Sequence, residues 1–208
     1  MTDVKTKIFD QIDLAISQLS TANISEERKE ILQPLADYIQ HKANTQQAVR
    51  INFICTHNSR RSHLGHLWAQ LAASYYQVHE VYCYSGGTET TVFNPSAVNA
   101  LKEAGMHILR TDDSSNPVYR VRIPGQKKGI DAFSKKYTDP PNPTEGFIAV
   151  MTCVDADEAC PIVHGARSRH AIPYEDPKKF DDTDEESDRY AKRCVQIARE
   201  MLYLFASV

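Results

Sequence analysis

The chain has 208 residues, a hydrophobic fraction of 41%, a charged fraction of 25% and a formal net charge of -3. That length suits one core of ordinary size, and the near-balanced charge argues against a nucleic-acid or membrane-surface protein. No stretch reaches the apolar length of a membrane span, and the opening "MTDVKTKIFDQIDLAISQL" has no continuous apolar segment of the kind found in a signal peptide, so a cytoplasmic location is expected. The five cysteines, Cys55, Cys83, Cys153, Cys160 and Cys194, are an odd set for a secreted disulfide scaffold. In a reducing compartment, reactive or metal-bound thiols are the better expectation for those that are not simply packed.

Residues 1–46 read as a helical hairpin packed on the rest of the chain, since two short helices bury too little to stand alone. Val4, Ile8, Ile12, Ala15 and Leu19 share one helix face. Ser25 can cap a second helix whose apolar side is Ile31, Leu35, Tyr38 and Ile39, with Pro34 expected to kink or restart it. From residue 47 onward the pattern is α/β. "VRINFIC" is a buried strand, residues 60–77 are a helix, and "EVYCYSG" is a second strand. "NPSAVNALKEAG" is a short helix capped by Asn94, with Pro95 in its first turn and Gly105 closing it. "GFIAVMTC" is a further strand ending on Cys153, and the last helix, 185–205, carries an apolar stripe of Tyr190, Cys194, Ile197, Met201 and Leu204. Strands alternating with helices predict a parallel sheet covered on both faces. Residues 111–145 break this rhythm. "VYRVRI" followed by "PGQKKG" reads as a hairpin-like excursion and "TDPPNP" as an extended Pro-rich run. Tyr119 and Tyr137 within it could line a pocket or simply cover a sheet edge.

The stretch with the most chemistry is Cys55-Thr56-His57-Asn58-Ser59-Arg60-Arg61-Ser62, between a strand and a helix. Such a loop can aim several backbone N–H groups at one point, and the helix start adds its positive end. Arg61 offers a planar fork suited to a tetrahedral oxyanion. The same field favours thiolate at Cys55, so its pKa is expected to fall, and Ser62 can hydrogen-bond the sulfur. The residues thus describe an oxyanion cradle with a nucleophile at its floor. Elsewhere, Cys153 and Cys160 are separated by six residues. They read as a redox pair, as packed thiols, or, with His164 and one more residue, as metal ligands. Cys83 and Cys194 read as core residues. His63 and His66 share a helix face but do not by themselves make a site.

"CTHNSRRS" resembles the Cys-x-x-Asn-x-x-Arg-Ser loop of the low-molecular-weight tyrosine phosphatases and the thioredoxin-coupled arsenate reductases. The resemblance continues through "SGGTETTVFNPSAVNALKEAG" and ends on Glu175-Asp176-Pro177, covering roughly residues 48–205 without the excursion. It implies a doubly wound, four-stranded parallel sheet of the phosphotyrosine phosphatase I-like kind, with residues 1–46 as an extension and 47–208 as the catalytic domain. It also implies roles: Cys55 as nucleophile, Arg61 as oxyanion clamp, Asp176 as general acid and Asn58 as the residue that tolerates an unusual backbone geometry in the loop. "CVDADEACP" is similar to the cysteine pair of the arsenate reductase branch. That likeness implies a relay in which Cys55, Cys153 and Cys160 pass a disulfide outward to thioredoxin, with no organic cofactor and no metal. The chain departs from the family at His57, where glycine is usual, at Arg60, where many members have a second cysteine, at His66, where some reductases have an acid linked to a cation site, and at Lys178, where phosphatases often have an aromatic. Three functions follow as expectations: arsenate reduction, phosphomonoester or phosphotyrosine hydrolysis, and, from a different class, non-catalytic oxyanion sensing.

Overall fold

The computed structural model describes residues 12–19, 23–124, 128–160, 162–206 and 208. Val4, Ile8 and the turn residues Gly125 to Lys127 therefore lie outside the described residues. Helix α1 (12–18) turns Ile12 and Ile16 inward. Helix α2 (Glu26–Asn44) starts where Ser25 Oγ accepts from the Arg28 N–H, with Glu26 and Glu27 in the first turn, where acids suit the helix dipole. It runs unbroken through Pro34, so the expected restart does not occur. Its buried face is Leu32, Leu35, Ala36 and Ile39. Ile31, assigned to that face from spacing, is 37% exposed, because the face runs one position further along the chain.

The central sheet has the order β2-β1-β6-β7. It consists of β1 (Val49–Cys55), β2 (Val81–Gly87), β6 (Phe147–Met151) and β7 (Ala166–Ala171), and every neighbouring pair is parallel. Six of the seven β1 residues are buried, the last five in a row without alternation, as expected for a strand covered on both faces. Strand β7, "ARSRHA", lies on the sheet edge with no buried residue. Its polar sequence hides it from pattern reading. Helix α3 (Arg61–Tyr75) follows β1 and is buried from Arg61 to Ala73, which explains its weak amphipathicity. Helix α4 (Pro95–Glu103) is capped by Asn94 Oδ1 on the N–H groups of Ser96 and Ala97, and Gly105 closes it at φ 92°. Helix α6 (Glu186–Ala206) buries the expected stripe, and Ile12, Leu32 and Leu35 belong to the same packed core as Ile197 and Met201.

The excursion is a small antiparallel sheet. Strand β3 (His107–Arg110) pairs with β4 (Tyr119–Arg122), which pairs with β5 (Ile130–Ala132). The chain then crosses back over the top of the main sheet, where Gly87 N donates to Lys135 O and Tyr137 N to Gly87 O, both at 2.9 Å. Gly86 permits this crossing, because a Cβ there would collide with the Cα of Tyr137. The strand "GFIAVMTC" ends earlier than its apolar run suggests. After Met151 the chain leaves the sheet, and Cys153 instead caps a short helix, α5 (Val154–Ala159).

Candidate active site

In the sheet order, β1 is followed by β2 on one side and by β6 on the other, so the topology reverses between β1 and β6. Crevices at the C-terminal ends of strands form at such a switch point. Cys55 ends β1 and Cys153 follows β6. The register pairs Ile54 with Met151, and Thr152 donates to the Ile54 carbonyl through N–H (2.7 Å) and Oγ1 (2.9 Å). Thr56 is thereby set beside Cys153, with Oγ1 and Sγ 3.6 Å apart.

The loop from Cys55 to Ser62 is held by its carbonyls. The Cys55 carbonyl accepts from Thr88 N, that of Thr56 from Glu89 N and Thr88 Oγ1, that of His57 from Ser134 Oγ and Thr91 Oγ1, and that of Ser59 from Asn94 N. With its carbonyls drawn outward, the loop presents N–H groups to its interior. Asn58 sits in the left-handed region at φ 44°, as its assigned role requires. It is fully buried; Oδ1 accepts from Lys135 N (2.9 Å) and Nδ2 donates to Ser62 Oγ (2.9 Å). The Ser62 hydroxyl, already accepting from Asn58, lies 3.1 Å from Cys55 Sγ and is free to donate to it. Helix α3 begins within this loop, at Arg61, with no side chain capping its first turn, so its leading N–H groups remain available to an anion.

Arg61 closes the cradle. Nη1 donates to the Tyr174 carbonyl (2.9 Å) and Nη2 to Asp176 Oδ2 (2.6 Å), while Nε is buried and has no partner among the described residues. One edge of the guanidinium is thus fixed and the other is left for an oxyanion. Asp176 also caps the 3-10 turn Pro177–Phe180 by accepting from Lys178 N, which explains why the Asp-Pro pair stands at the mouth of the cradle. Arg60 is engaged with the surrounding wall: Nε donates to Tyr190 Oη (2.7 Å), Nη2 lies 3.3 Å from Asp181 Oδ2, and Tyr190 Oη donates to Asp181 Oδ1 (2.7 Å). Asp181, another acid of this stretch, is therefore committed to Arg60 and Tyr190. His57 stands on the rim with Nε2 3.5 Å from Glu89 Oε2.

Cys55, Cys153 and Cys160 share one packed cluster with Ile54, Met151 and Ala156. Cys55 and Cys153 are buried, Cys160 is half-buried, and all are free thiols. Cys153 Sγ accepts from Ala156 N at 3.4 Å. His164 is exposed, and among the described residues no group of three or more His, Cys, Asp or Glu side chains is gathered as metal ligands. Cys194 is core, as expected; its sulfur accepts from Trp68 Nε1 and burial pushes the thiol up to about 12.

Three features escaped the reading of the sequence. Behind the cradle, Ser85 Oγ lies 3.2 Å from His63 Nδ1 and 3.3 Å from His66 Nδ1. Burial lowers the pKa of His66 to about 3 and that of His63 well below its usual value, so both imidazoles are neutral. Lys135 is buried beside them, and desolvation brings it down to about 8. The third is Glu200, 2% exposed, whose signal was legible: it stands on the apolar stripe of α6, three residues after Ile197 and four before Leu204.

No family model matches the chain. It is 30% identical over 143 residues to an arsenate reductase of Bacillus subtilis, a match that covers 69% of this chain and 84% of that one. It is 31% identical over 128 residues to an arsenate reductase of Staphylococcus epidermidis, covering 61% and 77%. Among solved structures, a low-molecular-weight protein tyrosine phosphatase from T. tengcongensis superposes with a TM-score of 0.51 at 15% identity, over 77% of this chain and all of that one. This last likeness concerns the fold. Among the described residues no helix is long and apolar enough to cross a membrane.

Proposed function

This chain belongs to the family of arsenate reductases and low-molecular-weight tyrosine phosphatases, and on that premise we propose that it reduces arsenate to arsenite through Cys55, Cys153 and Cys160. The observation that carries this reading is the gathering of the three free thiols in one cluster at the ends of β1 and β6, with the first of them on the cradle floor. A phosphatase needs only that first thiol.

Arsenate is held by the loop N–H groups and the open edge of Arg61. The Cys55 thiolate attacks arsenic and water leaves, forming an S–As bond. The Cys153 thiolate then attacks Cys55 Sγ; the S–As electron pair goes to arsenic, As(V) becomes As(III), arsenite departs and a Cys55–Cys153 disulfide remains. Cys160 attacks Cys153 Sγ and expels the Cys55 thiolate, leaving Cys153–Cys160 oxidised. Thioredoxin, or a dithiol of that kind, returns the two electrons. Val154, next to Cys153, and Ile162, two residues after Cys160, are 54% and 71% exposed and supply apolar surface for such a partner.

Phosphomonoester hydrolysis is the second reading, favoured by the placement of Asp176 against Arg61. There Cys55 would carry the phosphoryl group while Asp176 protonated the leaving oxygen and then activated water. A non-catalytic sensor would have no use for the two further thiols.

The test is arsenate-dependent NADPH oxidation with thioredoxin and thioredoxin reductase, run on wild type, Cys153→Ser and Cys160→Ser, beside p-nitrophenyl phosphate hydrolysis on the same samples. The relay requires arsenate turnover that both substitutions abolish. Equal hydrolysis by all three, with no response to arsenate, would make the protein a phosphatase.

A further inference from the structure

The catalytic arginine is anchored to the carbonyl of Tyr174, and Tyr174 is anchored from behind. Its hydroxyl donates to Glu200 Oε2 at 2.7 Å, inside the core. Glu200, on α6, receives a two-pronged hydrogen bond from Arg28, with Nε to Oε1 and Nη2 to Oε2 both at 2.9 Å, and Gln196 Nε2 donates to Oε1 at 3.1 Å. The Arg28 guanidinium also lies over the Tyr174 ring, 4.6 Å from its centre. Arg28 is in α2, which the resemblance to the family leaves out.

A buried ion pair with every oxygen satisfied contributes little net stability, because desolvating two charges offsets most of the attraction. What it does supply is geometry, since planar guanidinium and carboxylate groups meet in few arrangements. Here that geometry is passed on. The pair holds the Tyr174 hydroxyl and ring, Tyr174 N donates to Thr152 O at 3.1 Å, and the Tyr174 carbonyl then stands where Arg61 Nη1 reaches it.

We propose that helix α2 sets the position of the Arg61 guanidinium through the chain Arg28–Glu200–Tyr174, making these three positioning residues for oxyanion binding. The inference rests on the reading of Cys55 to Ser62 and Arg61 as an oxyanion cradle, but not on what reaction follows. It gives the N-terminal extension a task in the active site in addition to covering apolar surface.

The experiment is calorimetric titration of the reduced, full-length protein with inorganic phosphate, which needs no turnover. Arg28→Met and Tyr174→Phe should each weaken phosphate by about tenfold, since small misplacements of a binding group are costly. Arg28→Lys, which keeps the charge without the fork, should fall between them and wild type. Leu32→Ala is the control: it lies in the same helix, is fully buried and takes no part in the hydrogen-bond chain. It should lower the melting temperature and leave phosphate affinity within about twofold of wild type. Network variants with wild-type affinity would overturn the proposal, as would an equal loss in Leu32→Ala. If Arg28→Met does not fold, Tyr174→Phe, which loses one hydroxyl, decides the matter. Failure of the wild type to bind phosphate would sink the cradle reading and this inference with it.

Discussion

Asn58 shows how much one residue does in the cradle. Its backbone takes a left-handed conformation that asparagine tolerates better than most side chains, and its amide joins the loop to both Ser62 and Lys135. Asn58→Ala keeps a β-carbon in that conformation without the amide that makes it tolerable, and leaves a buried Lys135 N–H without its acceptor. The expected loss is about 3 kcal/mol of stability, with at least a tenfold drop in turnover, read by denaturant unfolding and steady-state kinetics. Asn58→Gly relieves the backbone part alone, so it should recover roughly 1–2 kcal/mol of stability but not the turnover. The role of the asparagine was legible through the resemblance to the family's loop. Lys135 was not, because it is 77 residues away in the chain and is joined to the loop by a main-chain N–H that any residue type carries.

At the scale of elements, α5 separates two thiols that the proposed relay must join. Six residues at ~1.5 Å rise put the caps of a helix roughly 10 Å apart, beyond the ~4.4–6.8 Å that a disulfide spans between Cα atoms. Oxidation to Cys153–Cys160 therefore requires α5 to unwind. Hydrogen exchange of the Asp157–Cys160 amides, which bond back along the helix, should be slow in the reduced protein and fast in the oxidised one; equal protection in both states would exclude that disulfide. Cys153 Sγ accepts from Ala156 N at the start of this helix, and Asp155 and Asp157 stand in its first turn, where acids suit the dipole. The crossing segment of the excursion carries a different consequence. Lys135 has a folded pKa of about 8 against an ordinary 10.5, with burial as the main cause. Below about pH 8 both states are protonated and the folded state bears the cost of a buried charge. Between about 8 and 10.5 the unfolded chain binds more protons, so stability rises with pH. Lys135→Met should therefore stabilise by up to about 3 kcal/mol at pH 7, with the gain largely gone by pH 10. His66 works in the acid range. Its folded pKa of about 3 means that stability falls as pH drops from about 6.5 toward 3, while the unfolded chain gains a proton that the folded one refuses.

For the whole molecule, the core that contains α3, α4 and α6 also contains Ile12, Leu32, Leu35 and Ile39 of the N-terminal helices. We propose that helices α1 and α2 unfold together with the α/β domain as one unit. Leu32→Ala should then remove about 2–5 kcal/mol and lower a single calorimetric transition, without splitting it into two. A separate early transition in that variant would show the extension to be independently stable.

The local sequence by itself determined the cradle and most of the elements, though not β7 or α5. Apolar β-branched runs, caps such as Asn94 and the cysteine-to-arginine spacing act over a few residues, so they can be read in one dimension. Tertiary structure alone decided where β7 lies and what stands behind the site. The resemblance to the family singled out Asp176, but nothing local in the acidic stretch separates it from Asp181; the positions of Arg61, Arg60 and Tyr190 in space do. Likewise, Arg28 and Glu200 are 172 residues apart. Their pairing depends on how α2 packs on α6, which is a property of the folded core and of no segment within it.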